Sequence, residues 1–297
     1  MRTRHQRPHT RHAPLALAAT GILALAACEA GNGEADDPVA GEADQPGMEH
    51  IHGLGINPAD DELYVATHFG LFRAPDDGQP ERIGGHLHDF MGFNILGPDH
   101  FVASGHPAQG DAEHPANLGL IETTDAGETW EPVSLYGEAD FHALEARHDR
   151  VYGFDVVSGE FLVSEDRETW DARGDTAMAD IAVSPDDPDV LVATTEDGLQ
   201  LSNDGGHEFD ALDDAPMLAF VDWPETDRLV GVGVEGAVHT SSDGGHSWSE
   251  GESVDGQPAA LTTHDRDGTA EVYVATHDAI HYSDDNGESF SVLHDLH

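Results

Sequence analysis

Most of the chain after residue 47 is written in short apolar runs rich in Val, Ile, Leu, Phe and Tyr, each closed by Gly, Asp or Pro. Val190-Leu-Val-Ala-Thr is followed closely by Gly198-Leu-Gln-Leu-Ser, and Glu271-Val-Tyr-Val-Ala-Thr by Ala279-Ile-His-Tyr-Ser. Runs of this length, β-branched and aromatic, read as β-strands, and the turn residues between them read as tight hairpins. The pattern therefore predicts an all-β chain.

The runs are organised by a repeat. Five segments share one grammar: Thr123-Thr-Asp125-Ala-Gly127-Glu-Thr129-Trp130, Ser164-Glu-Asp166-Arg-Glu-Thr169-Trp170, Ser202-Asn-Asp204-Gly-Gly206-His-Glu-Phe209, Ser241-Ser-Asp243-Gly-Gly245-His-Ser247-Trp248 and Ser283-Asp-Asp285-Asn-Gly287-Glu-Ser289-Phe290. Their Asp residues lie 41, 38, 39 and 42 positions apart. A period near 40 with Gly and aromatic punctuation predicts one four-stranded propeller blade per repeat. In such a segment the carboxylate caps the N–H groups of a turn, Gly supplies positive φ, and the ring packs between sheets. Asp125, Asp166, Asp204, Asp243 and Asp285, with Trp130, Trp170 and Trp248, are thus read as structural. The same strand grammar extends to residues 51–74, where the turn has decayed to Ala74-Pro-Asp-Asp77-Gly78. A second unit is lengthened by a His/Pro/Gly loop at 106–117. The count is a six-bladed β-propeller over 48–297, with seven blades as the alternative.

Charge narrows the partners. The chain has no Lys, and all 59 acidic residues follow Cys28 with only eight of the twelve Arg, a formal charge of −51 for that part. Such a surface repels nucleic acid and anionic lipid and suits solubility in a salt-rich habitat. The N-terminus is different. Arg2, Arg4, Arg7 and Arg11 precede an apolar stretch at 13–27, too short to span a bilayer comfortably, that ends in Leu25-Ala26-Ala27-Cys28. This resembles a bacterial lipobox, which implies cleavage before Cys28 and acylation of its thiol. Residues 29–47 hold no aromatic and read as a disordered acidic tether. The expectation is a monomer on the outer face of the cytoplasmic membrane, held only by its lipid. Cys28 is the only Cys, so no internal disulfide can form.

The repeated segments resemble the Asp box, or bacterial neuraminidase repeat. Together with His50-Ile-His-Gly-Leu-Gly, Val65-Ala-Thr-His-Phe-Gly-Leu-Phe-Arg, His88-Asp-Phe-Met-Gly-Phe and Ala103-Ser-Gly-His-Pro, they make the chain similar to bacterial exported propellers often labelled sialidase-like or glycosyl hydrolase. Similar boxes occur in sortilin-type and photosystem II assembly propellers, so the fold leaves the function open. A sialidase needs three Arg converging on a carboxylate. Phe72-Arg73-Ala74-Pro75 matches one such motif but falls on a third strand, and the other Arg residues are expected in turns or outer strands. Hydrolysis by paired carboxylates, Asp89 with Asp155 or Glu145, is the remaining enzymatic reading. An envelope assembly role is a further alternative.

The histidines carry the most specific signal. In a propeller the first strand lines the channel, and its start shares a face with the loop after strand two. His50 and His52, His86 and His88, and His142 open first strands; His68, His106 and His277 follow second strands. All are expected on the face opposite the Asp turns. Imidazole clusters suit transition metals, and without thiolate the ion would be zinc or copper. The expectation is that His50, His52, His68, His88, His106, His142 and His277 are the metal-site candidates, three or four of them sharing one ion, with Asp89, Asp155 and Asp180 as carboxylate ligands or partners of the ligands. The other reading is a set of separate polar residues in a wet channel. His148, His207, His246, His294 and His297 are read as surface residues. The small ligand, glycan or protein that such a module binds is not named by the sequence.

Overall fold

The computed structural model describes residues 47–266 and 268–296; Cys28, the lipobox and nearly all of the tether lie outside them. The described residues form 24 strands and no helix. They make six sheets of four antiparallel strands, each built from one continuous stretch: 51–82, 89–134, 141–174, 180–211, 218–253 and 258–295. This is the six-bladed propeller, and blade 1 keeps its fourth strand, Glu81–Arg82, despite the decayed turn.

The hydrophobic core is six cores, one between each pair of neighbouring blades. Phe161 and Tyr152 of blade 3, for example, pack with Ile181, Val183 and Leu191 of blade 4. Blade 1 meets blade 6 in the same way, through Ile51, Leu54, Val65 and Phe72 against Ala260, Tyr273 and Ile280. Among the described residues, no strand is exchanged between the first and last blades. The ring closes by side-chain burial, the non-directional force that also joins every other blade pair.

The Asp turns join third and fourth strands and repeat one hydrogen-bond pattern. In blade 5 the Ser241 hydroxyl donates to Asp243 Oδ1 (2.9 Å) while accepting from the Gly245 N–H (2.9 Å). The Ser247 N–H and hydroxyl donate to the two oxygens of Asp243 at 2.8 and 2.6 Å. These donors hold Asp243 and Asp166 at a pKa of about 2, below the ordinary carboxylate value. Two successive residues take positive φ, Gly244 and Gly245 at 71° and 89°. Gly245 also lies against Leu199 and Leu212 of blade 4, where an added Cβ would sit 3.1 Å from the Leu212 side chain. Blade 3 lacks the glycine because its turn is one residue shorter: Thr169 caps Asp166 from three positions on, and only Arg167 takes positive φ (65°). The aromatic residues do what the repeat implies, Trp170 stacking on Phe141 at 4.8 Å.

Candidate functional site at the channel mouth

A backbone irregularity positions the site. In blade 1 the innermost strand, Ile51–Asn57, pairs Ile51 with Thr67 and then Gly53 with Ala66, so His52 is an extra, unpaired residue. Blade 3 pairs Phe141 with Asp155 and Ala143 with Phe154, which leaves out His142. Blade 2 pairs Phe90 with Gly105 and Gly92 with Ser104, which leaves out Met91. A β-bulge re-aims the side chain of the extra residue. Here the extra residues, near the starts of three adjacent inner strands, sit at the channel mouth. In blades 5 and 6 the bulge residues are Ala219 and Ala259, and blade 4 has no bulge.

Two groups of metal-ligating type result, one at each boundary of blade 2, and both contain residues singled out from the sequence. The first is His52, His68 and Asp89; the second is His106, Asp140 and His142; within each group one ligand atom per residue lies within 4.8 Å of the others. Asp89 Oδ2 is 2.7 Å from His68 Nδ1, and Oδ1 is 3.6 Å from His52 Nε2. Asp140 Oδ2 is 3.1 Å from His142 Nε2 and 3.4 Å from His106 Nε2. Asp89 and His106 are cross-strand partners, yet Asp89 reaches into blade 1 and His106 into blade 3. His52 is pushed below the ordinary imidazole pKa, chiefly by burial and despite Asp89. That keeps its ring neutral, as a ligand must be.

The chemistry of the second group is constrained. His106 Nδ1 lies 2.9 Å from the carbonyl of Ala116, which can only accept, so Nδ1 carries the proton. The lone pair of Nε2 then faces a carboxylate oxygen at 3.4 Å. Two acceptors in that position need a cation between them, a proton or a metal. Asp140 is 4% exposed, and among the described residues its Oδ1 has no hydrogen-bond partner, as is also true of Asp89 Oδ1. Leaving such oxygens unmatched is costly, so both carboxylates call for positive charge.

The remaining sequence candidates lie elsewhere. His88 is buried beside Phe90 (5.9 Å), stacked with His86 (5.4 Å) and edge-on to His114 (5.6 Å). Burial first, then the neighbouring rings, lowers its pKa to about 4. The register explains the difference from expectation: His50 aligns with Asp89 and Asp140, and His52 with Met91 and His142, so His86 and His88 precede the aligned positions. His50, at φ 54°, sits edge-on to His68 (6.0 Å) outside the group, and exposed His277 belongs to neither group. The expected ring of three or more imidazoles around one ion is, among the described residues, two sets of two imidazoles and one carboxylate. Asp155 caps a turn, accepting from the N–H groups of Asp140, Val157 and Ser158. His294, read as a surface residue, is buried.

Below the mouth, a channel cavity of about 400 Å³ is lined by inner strands of all six blades. Its acids bind across blade boundaries: Asn94 donates to Glu145 (2.9 Å), the Val221 N–H to Asp180 (2.8 Å) and the Thr263 N–H to Asp222 (2.7 Å). Loss of hydration raises Glu145 to about 8 and Asp180 to about 7, and both residues are half-buried. Arg147 corrects one expectation. It ends an innermost strand and lines the cavity, but its guanidinium donates to the carbonyls of Val183, Trp223 and Pro224. No other Arg among the described residues lines that cavity, so no Arg trio converges there. Arg73 lies on the third strand of blade 1, bonded to Glu81.

No family model matches the chain, and no curated protein matches it. Solved β-propellers do. YCF48 from Cyanidioschyzon merolae superposes with a TM-score of 0.54 at 11% identity, covering 77% of this chain and 93% of its own. An ancestral GH74 enzyme gives 0.53 at 11% identity over 84% of this chain, which spans only 40% of that protein. The WD40 β-propeller domain of Doa1 gives 0.56 at 8% identity, over 83% of each chain. At these identities the likeness is one of fold. The chain is a β-propeller.

Proposed function

We propose that this chain is an exported, lipid-anchored binding module whose channel mouth holds a transition metal between blades 1 and 3. The observation that carries the reading is His106: its Nδ1 is committed to a backbone carbonyl, and its Nε2 is aimed at a buried, half-satisfied carboxylate. A metal-bound histidine is usually held this way, through its other nitrogen. His106, Asp140 and His142 would hold one ion, and His52, His68 and Asp89 offer a second set. Zinc or copper suits two imidazoles and a carboxylate, with a position left for an outside ligand. On so acidic a surface, that position is where a Lewis-basic group of a partner would be captured.

The test is metal content of protein purified without a histidine tag. Wild type is expected to retain zinc or copper, and Asp140→Asn with His142→Ala to lose the ion of the second group while staying folded. Retention should fall as pH is lowered, because ligand imidazoles must be neutral. Metal-free wild type that also fails to take up zinc or copper on titration refutes the reading. The anchor is tested separately. Cys28→Ala is expected to release the protein from the membrane fraction, and an unchanged fractionation and mature mass would exclude acylation. The Asp turns also support placing the chain with Asp-box propellers.

A further inference from the structure

We infer that Met91 supplies a thioether ligand to the first group and makes it a copper(I) site. This rests on the metal reading above and goes further by assigning the ion and a ligand.

Met91 occupies the bulge position of blade 2, the place taken by His52 in blade 1 and His142 in blade 3. Along the mouth the three bulge residues run imidazole, thioether, imidazole, whereas the corresponding residues of blades 5 and 6 are Ala219 and Ala259. Met91 lies two residues after Asp89, and a cavity of about 360 Å³ joins it to His50, His52, His68, Phe69 and Asp89. Two other methionines of the fold, Met48 and Met178, are buried in inter-blade cores. Met91 instead lines a pocket shared with His50, His52, His68, Phe69 and Asp89. The pocket brings its thioether into the same space as three imidazoles and a carboxylate.

Donor softness selects the ion. Thioether sulfur favours copper(I), imidazole suits both copper and zinc, and carboxylate suits harder ions. His68 Nδ1 lies 2.7 Å from Asp89 Oδ2, so the carboxylate can orient that ring and leave Nε2 free for the metal. His52, His68 and Met91 then form a three-donor soft set, with His50 beside it and Phe69 packed edge-on to His68 at 4.7 Å. The second group has no such sulfur among its three residues and is left as the harder, zinc-type site.

The experiment uses the full chain carrying Cys28→Ala, so that no thiol competes for copper. Copper(I) is titrated anaerobically against a chromogenic copper(I) chelator, and zinc against a fluorescent zinc chelator. Met91→Leu, which keeps the volume, is expected to weaken copper(I) binding by about tenfold or more with zinc affinity and melting temperature unchanged. X-ray absorption at the copper edge is expected to show a sulfur neighbour in the parent and none in Met91→Leu. Equal copper(I) affinity in the two proteins, or no sulfur neighbour in the parent, overturns the inference. If both metals bind and depend on His52 but not on Met91, this inference alone fails. If neither metal binds the parent, the metal reading fails with it.

Discussion

At the scale of single residues, the same side-chain types do opposite jobs on the two faces of the ring. The Asp of each repeated turn is an acceptor surrounded by donors, and that depresses its pKa. Asp140 and Asp89 are acceptors facing imidazoles, with one oxygen each unmatched. The first arrangement is self-sufficient; the second asks for a cation. The turns therefore predict a stability effect with a definite sign. Asp243 titrates at about 2 in the fold and near 3.8 in an ordinary setting. Its contribution is present above about 3.8 and lost as pH falls through about 2. Asp243→Ala is expected to melt at a lower temperature than wild type at pH 7, with the gap narrowing between pH 4 and pH 2. A gap that stays constant over that range would show that the carboxylate charge is irrelevant to the turn. The repeat announced these Asp residues in the sequence. Nothing in the sequence announced Met91, because one methionine in an apolar run looks like core.

At the scale of strands and blades, the bulges decide what reaches the channel. A one-residue insertion in a paired strand shifts which face each side chain takes. The bulges at His52, Met91 and His142 are pairing events and leave no mark in composition or spacing. This is why His86 and His88 looked equivalent to His50 and His52, when the register places Asp89 and Met91 there. The inner strands are also tied blade to blade by polar bonds such as Asn94 to Glu145. Burial raises Glu145 to about 8, so its folded form holds its proton more tightly than the unfolded chain does. That contribution is fully present below the ordinary Glu range and is lost as pH rises through about 8. Glu145→Gln, which can still accept from Asn94, is expected to match wild type at pH 5 and to melt higher at pH 9. The same melting shift at both pH values would mean that ionisation of Glu145 is not the cause.

At the scale of the whole molecule, six equivalent apolar interfaces hold the ring against its own charge. The interface between blades 6 and 1 is no different in kind, since no strand of the described residues crosses it. Ile280 is completely buried there. Ile280→Ala is expected to cost about 2–5 kcal/mol, the range for emptying a packed aliphatic site. Chemical denaturation measures it, and a cost below about 1 kcal/mol would mean that this junction contributes little to the fold. Self-repulsion acts everywhere at once. With a formal net charge of −47, added salt screens the surface, and the melting temperature is expected to rise between about 0.05 and 1 M sodium chloride. A melting temperature that falls or stays level would contradict a charge-limited fold.

What the sequence determined by itself was whatever repeats: the all-β class, six units near a 40-residue period, the Asp turns, and the face on which the histidines gather. Each is encoded locally, in turn chemistry and strand patterning, and the period multiplies the signal. Only the tertiary structure decided how the histidines divide. It made two groups instead of one, drew Asp89 and Asp140 in as their carboxylates, removed His88 to a buried stack and left His277 outside. These outcomes depend on register across strands and on which neighbour a side chain reaches across a blade boundary. Both are set by pairing between segments far apart in the chain, for which a single sequence carries no local mark.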